Sequence, residues 1–328
     1  MVLHVFNHEA VETLLPVDEC IEIVRHSLIA LAESKVHQPL RMVVAPEASD
    51  GLMAMMPCHI SGDTPAFGLK AVCVFHENPK IGKDAHQGLV LLVDPATGEP
   101  QAVLDASAIT KIRTAAASAV ATDVLARPDA SRLAIIGTGV QARAHLLAMM
   151  SVRPITNVSA IGRDANRLQQ FIDDMSPKVT AKITAASSIE DAVRDTDLIV
   201  TATTAKEPIL QAGWIAPGCH INAVGSSIPT ARELSSELMA TGLVFADRRE
   251  SLINESGDFL MAVNDGAIDE SNIVAEVGEV LVGQAPGRNS DNDITIFKSL
   301  GLAVQDVASA QYVLKAGLAH GIGQSVSF

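Results

Sequence analysis

The segment Leu133-Ala134-Ile135-Ile136-Gly137-Thr138-Gly139-Val140-Gln141-Ala142 runs a short apolar stretch into Gly-x-Gly-x-x-Ala and then into a helical pattern. A dinucleotide-binding turn needs that order of strand, glycines and helix. Gly137 is placed for the tight turn and Gly139 for close approach of backbone to a pyrophosphate. Ala142 is placed for tight packing of helix on strand. The first N–H groups of such a helix have no partner within it and attract an anion. The turn lies about 130 residues into the chain. A segment of domain size precedes it and is expected to bind the substrate.

A second group of residues bears positive charge in unusual places. Lys70 stands inside Phe67-Gly68-Leu69-Lys70-Ala71-Val72-Cys73-Val74-Phe75, an otherwise almost wholly apolar strand pattern. A lysine there must snorkel, pair or do chemistry. Arg41 adjoins the short run Met42-Val43-Val44. It reads either as a solvated charge at a strand end or as a bidentate clamp on a carboxylate. Arg113-Thr114 reads as opening an Ala-rich helix. A cation there opposes the helix dipole, so arginine and helix N–H groups could instead enclose an anion. A surface arginine is the plain alternative. Loop histidine His86 precedes the strand Leu89–Val93. Met53, Met55 and Met56 could line an apolar wall or fill an ordinary core, and are left unassigned.

Positioning these groups requires two kinds of architecture. The apolar spacing of Val17, Cys20, Ile21, Val24, Leu28 and Leu31 predicts a helix over 17–36. Strands are predicted near 41–45, 67–75, 88–93 and 101–104, followed by a helix over 107–125. From 132 the pattern alternates: strands near 133–136, 156–161, 179–184, 197–201, 219–224 and 243–246, with helices near 140–150, 164–175, 188–194 and 231–240. Such alternation specifies a doubly wound parallel sheet. A long helical segment starts near 301 and is expected to return to the first domain.

Composition agrees with this frame. The 328 residues are 48% hydrophobic and 19% charged, which specifies packed domains rather than a disordered chain. A net charge of −14 disfavours nucleic acid and anionic membranes but leaves room for a local anion site. Cys20, Cys58, Cys73 and Cys219 form no CxxC pair and read as buried thiols, with no metal site. The start Met1-Val2-Leu3-His4-Val5 lacks a signal pattern, and no apolar run reaches membrane-spanning length. The expected location is the cytoplasm.

Separated blocks across nearly the whole chain resemble the ornithine cyclodeaminase/mu-crystallin family. They are Arg41; Met55-Met56-Pro57; Gly68-Leu69-Lys70; Lys111-Ile112-Arg113-Thr114-Ala115-Ala116; the glycine turn; Asn222-Ala223-Val224-Gly225; Arg232-Glu233-Leu234; Glu276-Val277-Gly278-Glu279; and Phe297-Lys298-Ser299-Leu300-Gly301. The resemblance implies an α/β protein in two domains. A Rossmann dinucleotide-binding domain, 121–302, is inserted into an α+β substrate-binding and dimerisation domain, 1–120 with 303–328. It implies a homodimer and hydride exchange at the carbon alpha to a carboxylate. It places Arg41, Lys70 and Arg113 on the substrate carboxylate, with Lys70 catalytic. It places His86, Thr114, Gly137, Thr138, Gly139, Val140, Gln141, Thr203, Val224 and Lys298 at the cofactor.

Two departures refine the expectation. After the second nucleotide-domain strand comes Gly162-Arg163-Asp164, with arginine where NAD sites commonly put an acid. A guanidinium suits a 2′-phosphate, so NADPH is the expected cofactor. NADH is the alternative, since Asp164 could reach the ribose; its plain role is a helix N-cap. In Gly225-Ser226-Ser227-Ile228-Pro229, Ser227 stands where cyclodeaminases of this family carry an aspartate for the distal amine. Serine hydrogen-bonds but cannot neutralise an ammonium. The resemblance therefore implies a reductase of a small cyclic imino acid, Δ1-pyrroline-2-carboxylate with Δ1-piperideine-2-carboxylate as a second candidate, giving L-proline or L-pipecolate. An ornithine cyclodeaminase, an alanine dehydrogenase and a non-enzymatic small-molecule-binding protein are the competing readings.

Overall fold

The computed structural model describes residues 2–49, 51–75 and 77–327. The chain divides into two compact units, Met1–Arg113 with Leu302–Phe328, and Thr114–Gly301. The first unit opens with β1 (Val2–Phe6), α1 (His8–Leu14) and α2 (Val17–Ala32). Asn7 caps α1 by accepting the Ala10 N–H. On α2, Cys20, Ile21, Val24 and Leu28 are buried at helical spacing. The helix stops four residues before the predicted 36: Ser34 takes a left-handed φ of 58°, and Val36–His37 form β2. There follow β3 (Met42–Val44), β4 (Gly51–Ile60), β5 (Ala66–Phe75), β6 (His86–Val93), β7 (Pro100–Asp105) and α3 (Ala106–Leu125).

The second unit takes over within α3. It continues through β8 (Arg132–Ile136), α4 (Val140–Val152), β9 (Asn157–Ile161), α5 (Ala165–Met175), β10 (Lys182–Ala185), α6 (Ile189–Val193) and β11 (Leu198–Thr201). Next come β12 (His220–Ala223), α7 (Ser236–Thr241), β13 (Leu243–Ala246), α8 (Arg249–Glu255), α9 (Gly257–Asn264), β14 (Ile273–Glu276), α10 (Val277–Leu281) and β15 (Thr295–Lys298). The chain then re-enters the first unit as α11 (Ala303–His320) and β16 (Gln324–Ser327).

The sheet of the first unit has the order β16-β1-β7-β6-β5-β4-β2, with β3 also paired to β4. Strands β4 to β7 form an antiparallel meander. Alternation along β5 puts Ala66, Gly68, Lys70 and Val72 on the buried face, against α11. Gly68 matters here: a Cβ would stand 2.7 Å from the Leu91 carbonyl oxygen and 3.0 Å from Val307 Cγ2. Its absence lets α11 settle on the sheet two residues from Lys70. The opposite face is apolar but open, with Met53, Phe67, Phe75 and Leu89 all exposed. Cys73 shares that face and is partly exposed, whereas Cys20, Cys58 and Cys219 are buried as expected.

In the second unit every strand pairing is parallel, in the order β10-β9-β8-β11-β12-β15-β13-β14. The fold is therefore α/β, with a doubly wound parallel sheet inserted into a mixed-sheet unit. The strand order reverses between β8 and β11, which is where such sheets bind ligands. Strands β8, β11 and β12 are buried runs such as Leu198-Ile199-Val200, as a sheet covered on both faces requires.

Candidate functional site

In the first unit, β5, α3 and α11 bring three charged side chains together. Lys70 Nζ donates to Asp306 Oδ1 at 2.8 Å and to Thr110 Oγ1 at 2.6 Å. Arg113 Nε donates to the same Asp306 Oδ1 at 2.9 Å, and its Nη1 to Gln305 Oε1 at 3.3 Å. The side chains of Lys70, Arg113 and Asp306 are 2%, 6% and 0% exposed. Arg113 lies in the third turn of α3, because the helix already starts at Ala106. The expectation that Arg113-Thr114 opens the helix is thereby corrected, and the dipole argument for Arg113 lapses. The burial and the shared carboxylate are what single it out.

One carboxylate against two buried cations leaves the cluster net positive. Arg41, half-buried just before β3, adds a third charge felt at Lys70. Gln38 ties this segment to α11 by accepting the Val304 N–H at 2.9 Å. Burial pulls the Lys70 ammonium down to about 8, Arg113 and Arg41 push the same way, and Asp306 opposes them. Burial alone would raise Asp306, but Arg113 and Lys70 outweigh it and hold the carboxyl below its usual range. Asp306 Oδ2 and Gln305 Nε2 are buried without a hydrogen-bond partner. Such a cluster can hold a small carboxylate, and its lysine can exchange a proton near neutral pH.

The second unit carries the glycine turn. Gly137 has φ of +117°, and a Cβ on it would lie 2.4 Å from the Ala202 carbonyl oxygen, so both conformation and crowding demand glycine. Gly139 differs. It precedes α4 with φ of −80°, and a Cβ there would meet nothing within 4 Å. No contact within the chain requires glycine at 139, whereas a ligand lying on the backbone would. No side chain caps α4, and Thr138, Val140 and Gln141 lie at its open first turn. Ala142 is fully buried. Thr114 is 7% exposed, and its Oγ1 has no partner. A helix N-terminus, a glycine open to a ligand and an unsatisfied hydroxyl fit a dinucleotide phosphate.

After β9, Arg163 is exposed and its Nη2 donates to Thr204 Oγ1 at 3.3 Å. Asp164 is the N-cap of α5, accepting from Asn166 and Arg167 N–H at 2.9 and 3.0 Å. Its carboxylate is committed to the helix, and Arg163 is the residue presented. Thr203 and Val224 follow the carboxyl ends of β11 and β12. Lys298, expected at the cofactor, is instead fully buried. It donates to the Ser226 and Ala223 carbonyls at 2.6 and 3.3 Å and contacts Asp258 Oδ2 at 2.8 Å. It thus anchors the loop carrying Val224 rather than facing a ligand. Ser227, in the same loop, is half-buried. His86, the first residue of β6, is exposed and its carbonyl accepts from Ser107. Among the described residues no group of three or more His, Cys, Asp or Glu could hold a metal ion.

Asp306 was not anticipated from the sequence. The available signal was an acid within the apolar face of a helix, flanked by buried Ala303, Val304, Val307 and Ala310. A lone acid in one apolar element and a lone lysine in another invite pairing.

The family model described as ornithine cyclodeaminase/mu-crystallin matches residues 1–319. The Δ1-pyrroline-2-carboxylate reductase of Bacillus cereus (strain ZK / E33L) is 37% identical over 311 residues, covering 94% of this chain and 95% of that protein. The structure of Thermococcus litoralis Δ1-pyrroline-2-carboxylate reductase in complex with NADH and L-proline superposes with a TM-score of 0.96 at 37% identity, covering 98% of this chain and 100% of that one. An archaeal alanine dehydrogenase dimer with bound NAD superposes with a TM-score of 0.94 at 33% identity, over the full length of both chains.

Proposed function

The chain belongs to the ornithine cyclodeaminase/mu-crystallin family, and within it we propose that the protein reduces the cyclic imine Δ1-pyrroline-2-carboxylate to L-proline with a nicotinamide cofactor. It is an oxidoreductase acting on C=N bonds, in keeping with the reductase relatives. The observation that carries the reading is the buried Lys70–Asp306–Arg113 cluster with its surplus of positive charge.

The first unit is the substrate domain. Arg41 and Arg113 bind the carboxylate, and Lys70 binds it and keeps the imine nitrogen protonated. Protonation makes the carbon alpha to the carboxylate electrophilic. When bound, the dihydronicotinamide supplies a hydride to that carbon. The C=N π pair then moves to nitrogen, which keeps its proton, so imine becomes secondary amine. Ser227 offers a hydrogen bond and no counter-charge for a second amine, which favours a cyclic imine over ornithine.

In the second unit Thr114, Gly137, Thr138, Gly139, Val140 and Gln141 hold the pyrophosphate, and Thr203 and Val224 border the nicotinamide. Lys298 acts from behind their loop, and His86 is the remaining residue we assign to the cofactor. Exposed Arg163, beside an acid already spent on a helix cap, supports NADPH over NADH. The open apolar face with Met53, Phe67, Phe75 and Leu89 supports a homodimer through the first unit. No helix among the described residues is long and apolar enough to cross a membrane, and we assign the protein to the cytoplasm. Oxidation of NADPH and NADH with the five- and six-membered cyclic imines, with proline and pipecolate identified as products, tests the whole reading.

A further inference from the structure

We propose that Glu233 is the positioning residue for the nicotinamide half of the cofactor site, holding in register the two strand-end loops that carry Thr203 and Val224. The inference rests on the dinucleotide reading above.

Glu233 is 0% exposed, and its two oxygens accept four hydrogen bonds. Oε1 takes the N–H and hydroxyl of Thr203 at 2.9 and 2.7 Å. Oε2 takes the Thr201 hydroxyl and the Gly225 N–H, both at 2.7 Å. The four donors come from the carboxyl ends of β11 and β12. Each oxygen accepts one backbone N–H, from Thr203 and from Gly225, so an amide NH2 in place of either oxygen would set a donor against a donor. Burial, with the Asp258 charge adding to it, holds the carboxyl above its usual range against the pull of Lys298 and the Thr203 and Thr201 hydroxyls.

Glu233 is itself pinned. Asp258 Oδ1 accepts the Glu233 and Leu234 N–H groups at 2.7 and 2.9 Å. Lys298 links Asp258 to the Ala223 and Ser226 carbonyls. Gly225 accommodates the carboxylate, since a Cβ there would stand 2.3 Å from Glu233 Oε1. Strand β11 borders the switch point, and Ala202 packs on Gly137. In a doubly wound sheet, the strands on the β8–β10 side form one mononucleotide half and those from β11 onward form the other. Arg163 marks the first as the adenosine side. The loops that Glu233 ties together therefore shape the nicotinamide side.

The test separates positioning from general stability. Binding is titrated for the wild type, Glu233→Gln and Thr201→Val with NADPH and with 2′-phospho-ADP-ribose, which lacks the nicotinamide ring. NADH and ADP-ribose replace them if that pair binds more tightly. In Glu233→Gln the amide presents donors to donors, so dinucleotide binding should weaken roughly tenfold or more. Binding of the ring-less compound should change less than about twofold. Thr201→Val, which removes one of the four donors, should show the same selectivity to a smaller degree and covers the case of a poorly folding Glu233→Gln. Equal loss for both compounds, or no loss for either, overturns the proposal alone. A wild type that binds neither compound overturns the dinucleotide reading and this inference with it.

Discussion

Lys70 and Asp306 lie 236 residues apart in sequence and 2.8 Å apart in space, Nζ to Oδ1, both buried within the first unit. The contact joins β5 to α11 and explains why a lysine survives inside an apolar strand. Arg113 on the same carboxylate oxygen makes the pair a triad with surplus positive charge. The surplus gives the cluster a use beyond structure, since a buried pair alone does little for stability.

The pair sets a pH dependence. Lys70 is held to about 8, with Asp306 opposing the downward push of burial. If protonated Lys70 supports the imine proton, kcat/KM for the imine falls as pH rises through about 8. Replacing Asp306 by Asn removes the opposing charge and lowers the Lys70 pKa further. The descending limb should move to lower pH, as read from profiles of both proteins. A limb at the same pH in both would remove the coupling.

The same depression has a stability consequence of definite sign. Between about 8 and the ordinary 10.5, the unfolded chain binds the Lys70 proton and the folded protein does not. Stability from this group therefore rises with pH across that window, by an order of about 3 kcal/mol. In Lys70→Met that rise should be missing. Urea unfolding of both proteins at pH 7.5 and 10 checks it: the wild type should gain on the variant at the higher pH, and a constant difference would show that Lys70 titrates normally.

Cofactor choice turns on Arg163. Arg163→Ala should lower the ratio of kcat/KM for NADPH to that for NADH, at a loss of about 1.5–3 kcal/mol for one charge-assisted phosphate contact. Equal ratios in wild type and variant would assign the 2′-phosphate to some other group.

Ser227 bears on the substrate. With ornithine and NAD+ the protein should release little proline while reducing the cyclic imine readily. Ornithine turnover comparable to imine turnover would put the protein among the cyclodeaminases despite the serine.

Local constraints made part of this molecule legible from sequence. The glycine turn was, because a strand end, a left-handed residue and a helix start all fall within ten positions. Lys70 was, because a lone charge in an apolar strand has few uses. Asp306 was not, because its meaning depends on a partner 236 residues away. The strand β4 escaped notice because Pro57 and three methionines blur its alternation. Strands β14 and β15 are four residues each, and Lys298 ends β15 with a charge whose burial no local pattern announces. For Arg113 the dipole argument fails, because α3 runs from Ala106 as the 107–125 pattern predicts. The family resemblance singles out the same residue, and the shared carboxylate gives it a physical reason. Lys298 and Glu233 sit in recognisable motifs, but only the hydrogen bonds show them supporting a loop from within.

The central claim is tested most directly by product analysis with purified protein. Δ1-Pyrroline-2-carboxylate with NADPH or NADH should give L-proline and one oxidised cofactor per proline. Lys70→Met should retain cofactor binding while its kcat/KM for the imine falls by about 10²–10⁴-fold or more. Faster cofactor oxidation with pyruvate and ammonia than with the cyclic imine, or near-wild-type imine turnover by Lys70→Met, would contradict the account.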